Sequence, residues 1–287
     1  MTILRERIGQ RYDELTSSQR QLADYVTENH RASVFMTAKQ LGAAMGLSDA
    51  AVVRFAQALG FTGFQELRAA LREELLSRLG NVGVADASRE LARGAELAQK
   101  VFELGADLTN ATAGLNAWPM YERVAQKLCA ARRVWVTGHG TTYPTAAYLA
   151  MTLNQALGNV DLMVVGAGDL TDHLRGVTSA DVLIGVGYVR YLPYTINVLK
   201  IGREQGAHVV AITDKPSSPL ARLSMDVFLV ARDSFSFHWS QIGTIAVADA
   251  LVAVVATQDE ERTRRLLRAT DDLLRRQDLW RDEVADR

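Results

Sequence analysis

Through the first eighty residues apolar positions recur every three to four residues, and no stretch alternates or stays apolar long enough to read as a strand. From residue 133 the texture changes. Short β-branched runs, RVWVTG (133–138), VDLMVVG (160–166), DVLIGVG (181–187), AHVVAIT (207–213) and MDVFLVA (225–231), alternate with helical patterns at 142–157, 193–205 and 240–256. Strand–helix alternation at this spacing predicts right-handed crossovers and a five-stranded parallel sheet flanked by helices on both faces. Helices at roughly 90–112 and 118–131 lead into the first strand. Between the two textures, GNVGVADASRE (80–90) is rich in small residues, lacks a period and reads as a linker. The predicted organisation is an all-α domain over 1–80, a linker at 81–90, an α/β domain over 91–257 and a charged C-terminal helix over 258–287. In that last helix Leu266, Leu273 and Trp280 recur every seven residues, with Leu267 and Leu274 beside them. Such a stripe needs cover, from its own domain or from a second subunit.

Three helix starts stand out in the all-α part. Thr16 with Gln19 and Thr37 with Gln40 have capping-box spacing, and Ser48 precedes DAAVVRFAQALG. The segment 37–59 is then a helix of about eight residues, a tight turn at Gly46 and a second helix, the length and punctuation of a helix-turn-helix. Leu41, Met45, Leu47, Val52, Phe55 and Leu59 supply a shared apolar seam. Ser48, Asp49, Ala50, Val53, Arg54 and Gln57 remain outward on the second helix, and with Lys39 they form the candidate DNA-binding set. Short side chains permit close approach to a major groove, where Arg54 and Gln57 can reach bases or phosphate. A plain three-helix packing would carry the same caps and turn.

Composition narrows the classes. Of 287 residues, 48% are hydrophobic and 23% charged, so a folded core is expected, and a net charge of −1 argues against a polybasic nucleic-acid coat. Between residues 31 and 57, Arg31, Lys39 and Arg54 face only Asp49, a weak surplus that would need a second copy to build a useful phosphate-binding footprint. The single cysteine, Cys129, excludes a disulfide framework and a multi-cysteine zinc site, and reads as an inert thiol on a helix. No 18-residue apolar span and no apolar leader occur, so the expected location is the cytoplasm, with no membrane partner. No metal site is expected either: His173, after Asp172, and His238 have no partner at ligand spacing.

Two loops carry candidate chemistry. The first strand ends in GHGTTYPTAAYLA (138–150). Its glycines permit a tight turn, and Gly138, His139, Gly140, Thr141 and Thr142 bring backbone N–H groups and hydroxyls to a helix start, suited to an anion or a sugar hydroxyl. A dinucleotide fingerprint would need a third glycine and a distant acid, so no nucleotide cofactor is expected. The third strand delivers GYVRYLPYT, where Gly187, Tyr188, Arg190, Tyr191 and Thr195 complete the candidate ligand set and Tyr194 stands close by. A guanidinium among tyrosines suits phosphate or carboxylate; it would equally suit solvent or an acid at a subunit interface.

The N-terminal wording LTSSQRQLADYVTENH and TAKQLGAAMGLSDAAVVRFAQALGFTGFQELRAAL resembles the DNA-binding domain of the RpiR family of bacterial transcriptional regulators, VVRFAQALGFTGFQEL being its most specific part. Ala51 departs from the family's usual threonine. Residues 96–257 resemble the SIS (sugar isomerase) domain, the C-terminal partner in that family, through VWVTGHGTTYPTAAYLAMTLNQALG, SADVLIGVGY and GREQGAHVVAITDKPSSPLARLSMDVFLV. The resemblance implies a regulator of carbohydrate metabolism that binds a double-stranded DNA operator as a homodimer or homotetramer and senses an anionic sugar derivative. SIS domains that hold a sugar phosphate resemble S-x-S-G-x-T in the loop after the third strand; here Gly187, Val189 and Arg190 stand in those positions, so a sugar acid is as compatible as a sugar phosphate. An isomerase of the same fold would need a catalytic base, normally Glu or His, yet QIGTIAVADALVAVVA offers only Asp249. A regulator with a vestigial pocket is the third reading. The aromatic stretch SFSFHWSQ (234–241) is expected to close the pocket or to meet a second subunit.

Overall fold

The computed structural model describes residues 3–91, 93–165 and 170–277. The described chain falls into two compact units, one running to Asp107 and including Arg232–Ser240, the other made of Leu108–Ala231 and the residues from Gln241 onward.

The first unit holds α1 (Ile3–Arg11), α2 (Ser17–Glu28), α3 (His30–Ser33), α4 (Ala38–Ala44), α5 (Asp49–Ala58), α6 (Phe64–Leu91) and the start of α7 (Gly94–Leu115). Both capping boxes form: Thr16 and Thr37 each accept from the backbone of the glutamine three residues on, which reaches back to the cap's own N–H. Ser48 caps α5 through Ala51 N–H at 3.3 Å. The turn between α4 and α5 needs glycine, since Gly46 lies at φ 66°. Leu22, Val26, Leu41, Val52, Phe55, Leu59, Leu67 and Leu71 form the buried core. One expectation changes: residues 81–90, read as an aperiodic linker, continue α6 to Leu91. Gly80 and Gly83 each cost about 1 kcal/mol relative to alanine, and the alanines, leucines, arginines and glutamates around them favour the helix enough to carry it through.

In the second unit come α8 (Trp118–Ala130), β1 (Val134–Thr137), α9 (Tyr143–Leu157), β2 (Val160–Leu162), α10 (Leu170–Arg175), β3 (Val182–Val186), α11 (Pro193–Glu204), β4 (His208–Thr213), α12 (Pro219–Leu223), β5 (Asp226–Leu229), α13 (Ile242–Gln258) and α14 (Glu260–Arg276). The sheet is wholly parallel with order β2-β1-β3-β4-β5. Alternate residues feed two cores: Val134, Val136, Val182, Ile184, Val210 and Ile212 pack with α8, α9 and α13, while Trp135, Leu183, Val209 and Ala211 pack with the α11 side. Strands buried on both faces are apolar at every position, the pattern that the sequence shows. The N-terminal half of α14 packs within its own unit. Arg262 donates to the Leu157 carbonyl at 2.8 Å, closing the end of α9, and Leu266 covers Gly158. Leu267 and Leu273 stay exposed, and Trp280 lies outside the described residues. Cys129 is half-buried on α8, and burial pushes its thiol up. Among the described residues no single helix is long and apolar enough to cross a membrane.

Candidate functional site

In the helix-turn-helix, α4 and α5 meet at the turn that holds Gly46. Lys39, Ser48, Asp49, Ala50, Arg54 and Gln57 are exposed, Val53 is half-buried, and Val52, Phe55 and Leu59 face inward. Asp49 accepts from the Ala50 N–H at 2.8 Å, so the one acid on this surface serves the helix start. At the other end of α5 two arginines from α1 satisfy carbonyls that the helix leaves open: Arg7 donates to Gly60 at 2.9 Å and Arg11 to Ala58 at 2.8 Å. No local pattern near α5 announces these partners, about fifty residues away. α5 is thus braced from behind while its N-terminal half stays open.

The second candidate site lies where the chain reverses direction across the sheet. β1 sits between β2 and β3, so the crossovers leaving β1 and β3 run to opposite sides and open a crevice at their carboxyl ends. The glycine loop after β1 and the arginine loop after β3 meet there. Gly140, at φ 62°, passes so close to Leu192 that a Cβ would lie 2.9 Å from that side chain. His139 bridges the loops, its Nδ1 lying 2.9 Å from Thr195 Oγ1 while Nε2 accepts from Val165 N–H at 3.2 Å. The second contact assigns the proton to Nδ1, which donates to the threonine. Burial holds the imidazole below its ordinary pKa, which keeps it neutral in this role.

Arg190 is the only non-glycine among the described residues with positive φ, at 72°. Its side chain is exposed and makes no hydrogen bond or ion pair with the described residues. The loop is pinned beneath it by Asp214, which accepts from Tyr191 Oη at 2.7 Å and from Val189 N–H at 3.3 Å. A left-handed conformation in such a residue costs about 1–2 kcal/mol, and Asp214 is the restraint that holds it. Thr141, Arg190, Leu192 and Tyr194 are exposed at this edge, with the Tyr194 ring 5.6 Å from that of His139.

Other members of the expected set serve the scaffold. Thr142 is buried, its hydroxyl 3.0 Å from both the His139 and Val186 carbonyls. Gly187 is buried, its carbonyl accepting from Thr213 Oγ1 at 2.8 Å. Gly138 is buried and Thr195 is committed to His139. Tyr188 turns into the core, 4% exposed, and its hydroxyl is hydrogen-bonded to Thr244 on α13. Strand parity carries that signal, because residues 182, 184 and 186 face the same core and 188 continues the series. Asp214 is the residue that sequence reasoning missed. Asp249 is exposed on α13 and accepts from Tyr148 Oη at 2.5 Å. All but the last residue of the stretch 234–241 belong to the first unit, where α6 holds them.

Residues 2–78 match the model of the helix-turn-helix domain, rpiR family, and residues 127–266 match that of the SIS domain. The sugar isomerase domain of the RpiR transcription factor from Sphaerobacter thermophilus is 30% identical, with a TM-score of 0.59 over 62% of this chain and 99% of that one. The chain belongs to the RpiR family of transcriptional regulators. An HTH-type transcriptional regulator of Haemophilus influenzae is 26% identical over 268 residues, covering 89% of this chain and 90% of that protein. The Vibrio vulnificus NanR protein, solved in complex with ManNAc-6P, shares the fold at 22% identity and a TM-score of 0.54, covering 95% of this chain and 98% of that one. RpiR membership fixes the two modules in this order, helix-turn-helix and then SIS domain.

Proposed function

We propose that this RpiR regulator reads an inverted-repeat operator with α5 from two copies of the chain, and that an anionic sugar derivative in the β1–β3 crevice sets its affinity for that operator. The ligand is a sugar phosphate or a sugar acid, its anionic group taken by Arg190 with the backbone N–H groups near Gly140 and Thr141. The observation that carries this reading is Arg190 itself: an exposed guanidinium on a left-handed backbone, held in place by Asp214 at the switch point of a parallel sheet. That NanR was solved with ManNAc-6P supports the ligand class. The acid–base groups of the crevice support binding over proton transfer, since both nitrogens of His139 are engaged and Asp214 is spent on the loop. Two copies are inferred because one helix-turn-helix with a weak basic surplus needs two half-sites; α13, apolar nearly all round with Ile242 exposed, offers such a copy a face to cover.

Selection of duplexes from a random pool, followed by gel-shift titration at fixed salt, tests the first half. The wild type should enrich a palindromic site and Arg54→Ala should lose it; a light-scattering mass of one chain at all concentrations would overturn the two-copy reading. Thermal shift across sugar phosphates and sugar acids, then calorimetry, tests the second. Arg190→Ala should weaken the ligand by about ten- to a hundredfold, the equivalent of one charged hydrogen bond. A screen without any binder would make the crevice vestigial.

A further inference from the structure

The first unit is discontinuous in sequence. The chain leaves the second unit after Ala231, lends Arg232–Ser240 to the first, and returns at Gln241. This excursion closes on itself at the base, where Ser240 N–H donates to the Arg232 carbonyl at 3.2 Å. Two arginines one turn apart on α6 grip it. Arg68 pairs with Asp233, both buried. Arg72, fully buried, donates from one terminal nitrogen to the Ser234 carbonyl and from the other to those of Ser236 and His238, the last at 3.1 Å. The Trp239 ring lies 4.6 Å from the Arg72 guanidinium and 4.3 Å from that of Arg232, and Phe235 stacks on Phe35. A planar fork with three carbonyl acceptors recognises the path of a backbone and holds it in one conformation.

Both ends of the excursion are anchored in the scaffold of the crevice. On the incoming side Ala231 N–H donates to Thr112 Oγ1 at 3.1 Å. On the outgoing side the first turn of α13 presses against the same two residues: a Cβ on Gly243 would lie 2.5 Å from the Ala231 carbonyl oxygen and 2.5 Å from Thr112 Oγ1. The next residue, Thr244, is buried and hydrogen-bonded to the Tyr188 hydroxyl, two residues before Arg190 in the ligand loop. The ligand loop is thus tied directly to the first turn of α13, which is closely packed at Gly243.

We propose that Arg232–Ser240 is a clasp that carries effector occupancy to the helix-turn-helix, with Tyr188 and Thr244 as the sending contact and Arg68 and Arg72 as the receiving one. The inference rests on the functional reading above and adds the route. Hydrogen–deuterium exchange on the full chain, without DNA or ligand, tests it. Tyr188→Phe and Thr244→Val should each raise amide exchange across 232–240 and along residues 64–75 by about fivefold or more, because local opening free energies report the loss of a buried tie. Tyr148→Phe, which removes a hydroxyl bonded to Asp249 further along α13, should leave those segments unchanged. Exchange changes confined to the second unit, or an equal response to Tyr148→Phe, would overturn the clasp. Where Thr244→Val fails to fold, Tyr188→Phe decides, since it deletes a single oxygen. Gel shift on the selected duplex then reads the consequence: Tyr188→Phe should change affinity by about fivefold, and unaltered affinity alongside altered exchange would equally overturn the route. If the wild type binds no duplex, the DNA-binding reading fails by itself, and the exchange arm alone decides the clasp.

Discussion

Arg72 and Arg190 place the same guanidinium in opposite surroundings. Arg72 is fully buried on a regular helix, its terminal nitrogens donating to three backbone carbonyls of one segment, and burial lowers its pKa to about 10, so it stays charged at neutral pH. Arg190 is exposed on a loop, its backbone twisted to φ 72°, its side chain without a partner among the described residues. In the first case the backbone is relaxed and the side chain is spent on structure. In the second the backbone bears the strain and the side chain is left available. The cost falls on different parts of two copies of one chemical group, on the desolvated side chain in Arg72 and on the backbone in Arg190.

The largest expected effect falls on Arg72. Arg72→Met should destabilise the first unit by about 3–5 kcal/mol, since it strands buried carbonyls and leaves Asp233 with one cation fewer nearby. Urea unfolding followed by Trp239 fluorescence measures this, and a loss below about 1 kcal/mol would erase the contrast. Arg72→Lys should recover little, a point charge being unable to span the three acceptors.

Arg190 should behave in the reverse sense. Arg190→Gly relieves the left-handed backbone and should leave the protein as stable as wild type or more stable by up to about 1 kcal/mol, while Arg190→Ala keeps the strain. Thermal melts of the pair isolate the backbone contribution, and both variants should weaken the proposed ligand alike, by about ten- to a hundredfold. If alanine and glycine melt together, the strain at this position is negligible and Arg190 is not held in a costly conformation.

The smallest effect concerns His139. Its folded pKa lies below the ordinary histidine value because burial disfavours the imidazolium. The unfolded chain therefore takes up a proton at a pH where the folded chain does not, and stability falls as pH drops below the ordinary value, with no contribution above it. His139→Gln keeps a donor and an acceptor and should flatten the stability profile between about pH 6.5 and 5. An unchanged slope would mean that the loop bridge opens freely and the histidine titrates as in water.

How much of this could be read from residues alone follows from the range of each interaction. The capping boxes at Thr16 and Thr37, the turn at Gly46 and the five parallel strands are written in periods and spacings of a few residues, and all are present in the structure. The glycine and arginine loops are each legible as a loop that follows a strand, while their adjacency comes from the sheet order, which brings the ends of β1 and β3 together. Tyr188 lies two residues past Val186, and strand parity alone turns it toward the core. Residues 81–90 look like a linker by composition, yet helix propensity there is adequate. Asp214, the α1 arginines on α5 and the grip of Arg72 on 232–240 join residues 23 to 166 positions apart, and no local pattern encodes such pairs.

The discontinuous first unit also bears on how such a gene can be rearranged. A single recombination event within the codons for 81–107 would deliver an N-terminal fragment without Arg232–Ser240, and so with Arg72 lacking its three acceptors and Phe35 its stacking partner. Swapping the DNA-binding half onto a foreign sensor would require that donor to supply a matching nine-residue excursion between its last strand and the following helix. Inheritance of the two halves as a pair is thereby favoured, and chimaeras that join this half to a divergent sensor should be recovered as soluble protein only when residues 232–240 travel with it.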